Sequence, residues 1–371
     1  MNKTFLTIEN AEGLVELCKQ LKGSDWLAID TEFERIRTYH PRLCLIQLST
    51  PHQTVCIDPL AGLDFTPVAR LLGRDGPLKI IHSARQDLEV INHEIDVVPS
   101  PLFDTQIAAA FCGFGEQVGY GTLVEAICDI KLAKGYTRTT WCKRPLSTNQ
   151  IAYALDDARY LGRLYEYLDR DLQSSQRLSW AQEEFNTLAS TDMLGASESA
   201  AIEKISNAAR GLTQVDQSIA NALAKWREQA ARQCNQPRQW LLSNDQLLSI
   251  AAAAPLSVSE LMQVDGVASE FCKRWGEAVI AVVKCGRVQA AQYPVRGRAR
   301  KLPPRQKALD KLLWKELQKI SEAASLSPSV IARRDDIRAL AAGKRDLLLL
   351  RGWRGEIAGK ALLRCINRFI N

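Results

Sequence analysis

Two carboxylates, Asp30 and Glu32, close the run Trp26-Leu-Ala-Ile-Asp-Thr-Glu-Phe-Glu. The four apolar residues that lead into them suit a strand covered on both faces, and a strand points residues i and i+2 to one side. Asp30 and Glu32 are therefore expected to face the same way. Carboxylates this close repel, and each favours neutralisation of the other unless a cation lies between them. A divalent metal answers that repulsion, and Mg²⁺ takes only one or two carboxylates from one element before turning to water, phosphate oxygens and other parts of the chain. Three residues elsewhere complete a set: Asp87, expected in the first turns of a helix, and Tyr153 and Asp157, four apart and so on one face of another. Taken singly, Asp87 also fits a helix-dipole cap, Asp157 a surface acid and Tyr153 a core aromatic; together they point to a metal site.

The elements that must position these residues follow from periodicity and caps. Thr4 to Ile8 reads as an edge strand, Glu9 to Leu21 as an amphipathic helix, and Arg42 to Thr50 with Thr54 to Asp58 as a hairpin around Pro51-His52-Gln53. Leu78 to His82 is a further strand, and Ser83 begins a helix to about His93, with Gln86 placed as in a capping box. Phe103 to Phe111 and Gly121 to Asp129 read as helices, and Ser147 with Gln150 caps a long helix to about Leu172. Strands first, then strands and helices in alternation, indicate a mixed sheet with helices on its faces. Past a connector centred on Asp192-Met-Leu-Gly-Ala-Ser-Glu-Ser the pattern is helical only. One set gathers around Trp226, Trp240 and Trp275, and a second runs from Gln306 to Ile370.

Composition bounds the rest. A chain of 371 residues implies two or three domains, and 46% hydrophobic with 24% charged residues is a globular profile. No apolar run reaches the roughly 20 residues of a spanning helix, and no apolar signal core follows Met1, so a cytoplasmic location and no membrane partner are expected. The ten cysteines include no Cys-x-x-Cys pair and read as reduced core residues. Lys284, Arg287, Arg296, Arg298, Arg300, Lys301, Arg305 and Lys307 form a basic stripe free of acids, suited either to phosphates or to a solvated linker broken by Pro294, Pro303 and Pro304.

Three stretches now carry a resemblance to a known family. Ile29 to Leu48, Lys79 to Val90 and Tyr153 to Leu161, the last with Tyr-x-x-x-Asp spacing, resemble the three motifs of the Asp-Glu-Asp-Asp exonuclease superfamily, tyrosine subclass, and within it the ribonuclease D family. Asp104 to Phe111 and Trp141 to Ser147 resemble segments between those motifs, and the two helical sets resemble a helicase-and-ribonuclease-D C-terminal (HRDC) domain and a more divergent copy. The resemblance covers nearly the whole chain. Two departures are Thr140, where an acid is frequent, and Asp156, where a small residue is usual; Asp156 is expected to be solvated.

The resemblance implies an α/β, ribonuclease H-like catalytic domain at 1–173, a connector at 174–209, an HRDC domain at 210–288, a basic linker at 289–303 and a second HRDC-like domain at 304–371. It implies a 3′-to-5′ exoribonuclease that uses two divalent ions, Mg²⁺ or Mn²⁺, and releases nucleoside 5′-monophosphates. Asp30 would bridge both ions, Glu32 and Asp157 would complete the site of the attacking water, Asp87 would support the second ion and Tyr153 would orient the water. Phe33 is a candidate for stacking on the terminal base, with Gln106 and Arg144 as further substrate contacts; His82 is expected to be packed rather than a ligand. The implied partner is RNA with an unpaired 3′ end, transfer RNA precursors among them, bound by a monomer. A DNA exonuclease and a non-catalytic RNA-binding scaffold are the alternatives.

Overall fold

The computed structural model describes residues 7–133, 135, 139–190, 196–295, 297 and 303–370. The chain forms two compact units, one from the described residues of 1–34, 43–190 and 302–371, the other from those of 35–42 and 191–301. Among the described residues no helix is long and apolar enough to cross a membrane.

The first unit is built on a six-stranded mixed sheet in the order β1-β4-β3-β2-β5-β6: β1 (Thr7–Ile8), β2 (Trp26–Glu34), β3 (Arg42–Ser49), β4 (Thr54–Ile57), β5 (Leu78–Ile81) and β6 (Leu102–Asp104). The expected hairpin is β3 against β4, antiparallel, while β2, β5 and β6 run parallel in the register Ala28 to Ile80 and Ile80 to Phe103. Of the expected edge strand, Thr4 to Leu6 lie outside the described residues. Leu27, Ala28 and Ile29 are fully buried, as a central strand demands.

Around the sheet stand α1 (Ala11–Leu21), α2 (Thr66–Leu72), α3 (Arg85–Ile95), α4 (Thr105–Phe111), α5 (Tyr120–Cys128), α6 (Thr148–Arg159), α7 (Leu161–Ser174) and α8 (Leu178–Leu188). Ser147 and Gln150 do form a capping box, but the long helix expected behind them is broken at Tyr160 into α6 and α7. Leu161, Leu164, Leu168 and Leu172 recur at helical spacing along α7 and are all buried. Gly162 allows that approach: a Cβ there would stand 2.2 Å from Cη2 of Trp26.

Three readings are corrected here. Phe103 lies on β6 and not in a helix, because its buried neighbours Leu102 and Asp104 extend the parallel sheet beyond β5. The Ser83 capping box is not formed; Ser83 has φ +59°, and the carboxylate of Asp104 takes its amide N–H instead. Finally, the helical set after 304 does not stand apart from the exonuclease fold. In helix Pro304–Ala323, Leu309, Leu313 and Leu317 enter the same core as Phe103, Phe111, Leu168 and Trp353.

The second unit is helical: Ala196–Ala208, Gln214–Gln233, Arg238–Leu241, Asn244–Ala253, Val258–Leu261 and Ser269–Gln289. The long helices Gln214–Gln233 and Ser269–Gln289 meet where Gly286 sits on Ile219; an added Cβ would come within 2.8 Å of its Cα. Trp226 packs edge-on to Trp275 at 5.7 Å as expected, whereas Trp240 is 63% exposed, being on a four-residue helix too short to bury both faces. The segment 35–42, which follows β2 directly in the chain, belongs to this unit. Tyr39 donates its hydroxyl to the buried Glu228 at 3.1 Å, and Asn235 Oδ1 accepts the amides of Tyr39 and His40. Residues 191–195 of the connector and Arg296, Arg298, Arg300 and Lys301 of the basic stripe lie outside the described residues.

Candidate active site

The strand β2 presents Asp30 and Glu32, half-buried and on one side as its pleat requires, and α6 brings Asp157 to them. Carboxylate oxygens of Asp30, Glu32 and Asp157 all lie within 4.8 Å of one another. Tyr153, one turn earlier on α6, hydrogen-bonds the Asp157 carboxylate. Asp87 is buried in the first turn of α3, as expected, and accepts from the hydroxyl of Thr31, the residue between the two strand acids, at 2.5 Å. A cleft of about 250 Å³ opens beside this group, lined by Leu132, Asn149, Tyr153, Asp156 and Asp157.

Four acids so placed bind their protons more tightly than free carboxylates do. Burial, and then the charges of Asp87, Asp157 and Glu32, keep Asp30 well above the usual carboxylate range. Burial pushes Glu32 up to about 8, with Asp157 and Asp87 adding to the rise. Burial likewise lifts Asp87 to about 7 against the pull of the Thr31 hydrogen bond, and Asp157 to about 7 against that of Tyr153. An all-oxygen donor set with too much negative charge for its surroundings fits a hard divalent cation such as Mg²⁺ or Mn²⁺.

A linkage follows, with a definite sign. The folded state binds these protons more tightly than the unfolded chain, so stability falls as pH rises, for Glu32 between its ordinary value of 4.5 and about 8. Asp30, Glu32, Asp87 and Asp157 would hold a divalent cation with their charges offset and their protons released. Melting of EDTA-treated protein should therefore shift to lower temperature from about pH 5 to about pH 8, and Mg²⁺ should raise the melting temperature more at the higher pH. A melting temperature independent of pH and of Mg²⁺ would refute this account of the site.

The substrate candidates fare differently. Phe33 is half-buried on β2 beside Glu32. Gln106, half-buried, gives one amide N–H to the carbonyl of Val118 at 3.1 Å. Arg144 is committed elsewhere: Nε and Nη2 hold the two oxygens of Asp58 at 2.5 and 2.7 Å, Nη2 also the Cys44 carbonyl, and Nη1 the carbonyls of Trp141 and Lys143. A guanidinium has five N–H donors, and all are used. His82 is packed as expected, its ring nitrogens on Thr105 Oγ1 and the Val118 carbonyl. Asp156 is half-exposed and paired with Arg159.

Some supporting residues escaped the sequence reading. Asp104 takes the amides of Ser83, Ala84, Gln106 and Ile107, and so joins the turn that launches α3 to the start of α4. Its one legible signal was an acid just before a helix. Tyr120 donates to the Asp156 carbonyl at 2.8 Å and accepts from the Tyr160 amide, pinning the α6–α7 break beside Asp157. The expectation of reduced cysteines is corrected at one pair: Cys44 on β3 and Cys142 are disulfide-bonded, Cα atoms 5.0 Å apart, although 98 positions separate them in sequence. Cys18 and Cys56 are free and buried, as expected.

Comparison with known proteins places the fold and the family. Residues 5–173 match the family model described as 3'-5' exonuclease, and residues 216–283 that of the HRDC domain. Ribonuclease D of Jannaschia sp. is 36% identical, over 97% of this chain and 95% of its own, and ribonuclease D of Acidiphilium cryptum 35% identical, over 96% and 92%. The crystal structure of Escherichia coli RNase D, described as an exoribonuclease involved in structured RNA processing, superposes with a TM-score of 0.85 at 29% identity, covering 98% of this chain and 99% of that one. With a 3'-5' exonuclease and an HRDC match on this chain, and relatives of 36% and 35% identity aligned over nearly their full length, the chain belongs to the ribonuclease D family of 3′-to-5′ exoribonucleases.

Proposed function

We propose that this chain, acting as a cytoplasmic monomer, trims the unpaired 3′ ends of structured RNA, transfer RNA precursors among them, one nucleoside 5′-monophosphate at a time. The observation that carries the reading is the convergence of Asp30, Glu32 and Asp157 within 4.8 Å, with Asp87 behind Thr31 and Tyr153 on Asp157. Asp30, Glu32, Asp157 and Asp87 would hold two divalent ions, which when bound supply an acidified water and charge stabilisation at the scissile phosphate. The protein's own work is to place the reactants. Tyr153, hydrogen-bonded to the Asp157 carboxylate, acts by orienting the attacking water beside it. Phe33 offers a face for the terminal base.

The test is product analysis of a 5′-labelled RNA with a single-stranded 3′ tail, with Mg²⁺ or Mn²⁺ and with EDTA. A ladder shortening from the 3′ end that chelation abolishes is expected; binding without shortening under every metal condition would refute the reading. A matched DNA oligonucleotide as competitor distinguishes the sugar preference.

The helical unit supports RNA binding through exposed cations. Lys284 and Arg287 are both exposed on helix Ser269–Gln289. Exchanging both for glutamine should lower affinity for tailed RNA and reduce the slope of log K against log salt by about 1 to 2. An unchanged slope would remove this face from the RNA path.

A further inference from the structure

We propose that Arg144 is a positioning residue for the reaction: it holds the loop 141–146 so that the Trp141 ring fixes the ring of Tyr153, and with it the place of the phenol hydroxyl. The inference rests on the role given above to Tyr153. Arg144 binds Asp58, just after β4, and the carbonyl of Cys44 on β3, and it turns its remaining donors on its own loop, to the carbonyls of Trp141 and Lys143. One guanidinium thus ties the loop to two strands. Two further ties act on the next residue along: the Cys44–Cys142 disulfide, and the Cys142 amide donating to Glu34 at 3.0 Å. Glu34 ends the strand that carries Asp30 and Glu32, so the loop is referenced to the same element as the acids.

What these ties hold in place is Trp141. Its indole is 3% exposed and lies nearly parallel to Tyr153, ring centres 6.2 Å apart and planes at 29°. Its ring N–H is buried and has no hydrogen-bond partner among the described residues. Buried polar groups nearly always find partners. The indole is held through its backbone clamp and by stacking on Tyr153. Tyr153 meets the Trp141 face and the Asp157 carboxylate, which together act on its ring plane and its hydroxyl. Reaction rates respond steeply to misplacement of this kind.

Steady-state kinetics on a short single-stranded RNA, with Mg²⁺, test the proposal in Arg144→Lys, Tyr153→Phe and the double variant. Lysine can still pair with Asp58 but lacks the fork that reaches the carbonyls. Arg144→Lys should lower kcat about tenfold at unchanged KM, Tyr153→Phe on the order of 10²-fold, and the double variant should be within about twofold of Tyr153→Phe alone. Trp141→Leu, which leaves the clamp but removes the stacking face, should reproduce the loss and its non-additivity, and serves if Arg144→Lys does not fold. Effects that multiply in the double variant, or a rise in KM with kcat intact, would overturn the positioning role; the latter would make Arg144 a substrate contact. Full activity in Tyr153→Phe would instead refute the role of Tyr153 itself, and this inference with it.

Discussion

Asp30→Asn is expected to lower kcat by at least on the order of 10³-fold, because it removes a carboxylate that feels all three other acids of the cluster and with it the charge a divalent ion needs. The same substitution should raise the melting temperature of metal-free protein at neutral pH. Asp30 is held well above the ordinary carboxylate range by burial and by Asp87, Asp157 and Glu32, so in the absence of metal its charge is a cost to the fold. An amide of the same shape carries no such cost. Opposite signs for activity and stability separate a metal ligand from a residue that merely packs, since loss of packing would lower both. The measurement is a paired one: turnover on a tailed RNA with Mg²⁺, and thermal melting in EDTA. A variant that is active, or inactive and less stable in EDTA, would contradict the assignment.

Trp353→Ala is expected to destabilise the first unit by about 3 to 5 kcal/mol, the range for truncating a large buried aromatic. Trp353 is 3% exposed and stacks on Trp180 at 5.4 Å with planes at 16°; Phe111 meets it edge-on at 5.0 Å. Its indole N–H donates to Glu184 at 2.8 Å, and Arg354 pairs with the same carboxylate while lying over the ring. Trp180 and Glu184 belong to α8 and Phe111 to α4, so truncation would hollow a core shared by the last helices and the sheet-bearing fold. Urea unfolding followed by exonuclease activity decides it. Activity should be lost at distinctly lower urea in Trp353→Ala; an unchanged midpoint for activity would mean that the C-terminal helices fold on their own.

Both predictions show where sequence reasoning reaches and where it stops. The side on which Asp30 and Glu32 point, the shared face of Tyr153 and Asp157, and the Ser147–Gln150 cap were legible because each depends on a local period, 2.0 for a strand and 3.6 for a helix, or on a cap three residues long. The resemblance carried by the three acidic motifs and by the helical sets behind them then implied the fold and the family. Arg144, by contrast, reads in sequence as a candidate substrate contact. Only the fold brings Asp58 to it from 86 positions away and exhausts its donors. Cys44 and Cys142 looked like ordinary buried thiols for the same reason: a pairing across 98 positions leaves no periodic trace. The helices after 304 carry an amphipathic pattern that any apolar surface would satisfy, so their sequence states that one face must be buried, and the tertiary structure alone decides that Phe111 and Trp180 bury it. The segment 35–42 is the same case in polar form. Nothing in its residues marks Glu228 and Asn235 as partners of Tyr39, because hydrogen bonds between distant parts of a chain are set by topology and not by spacing.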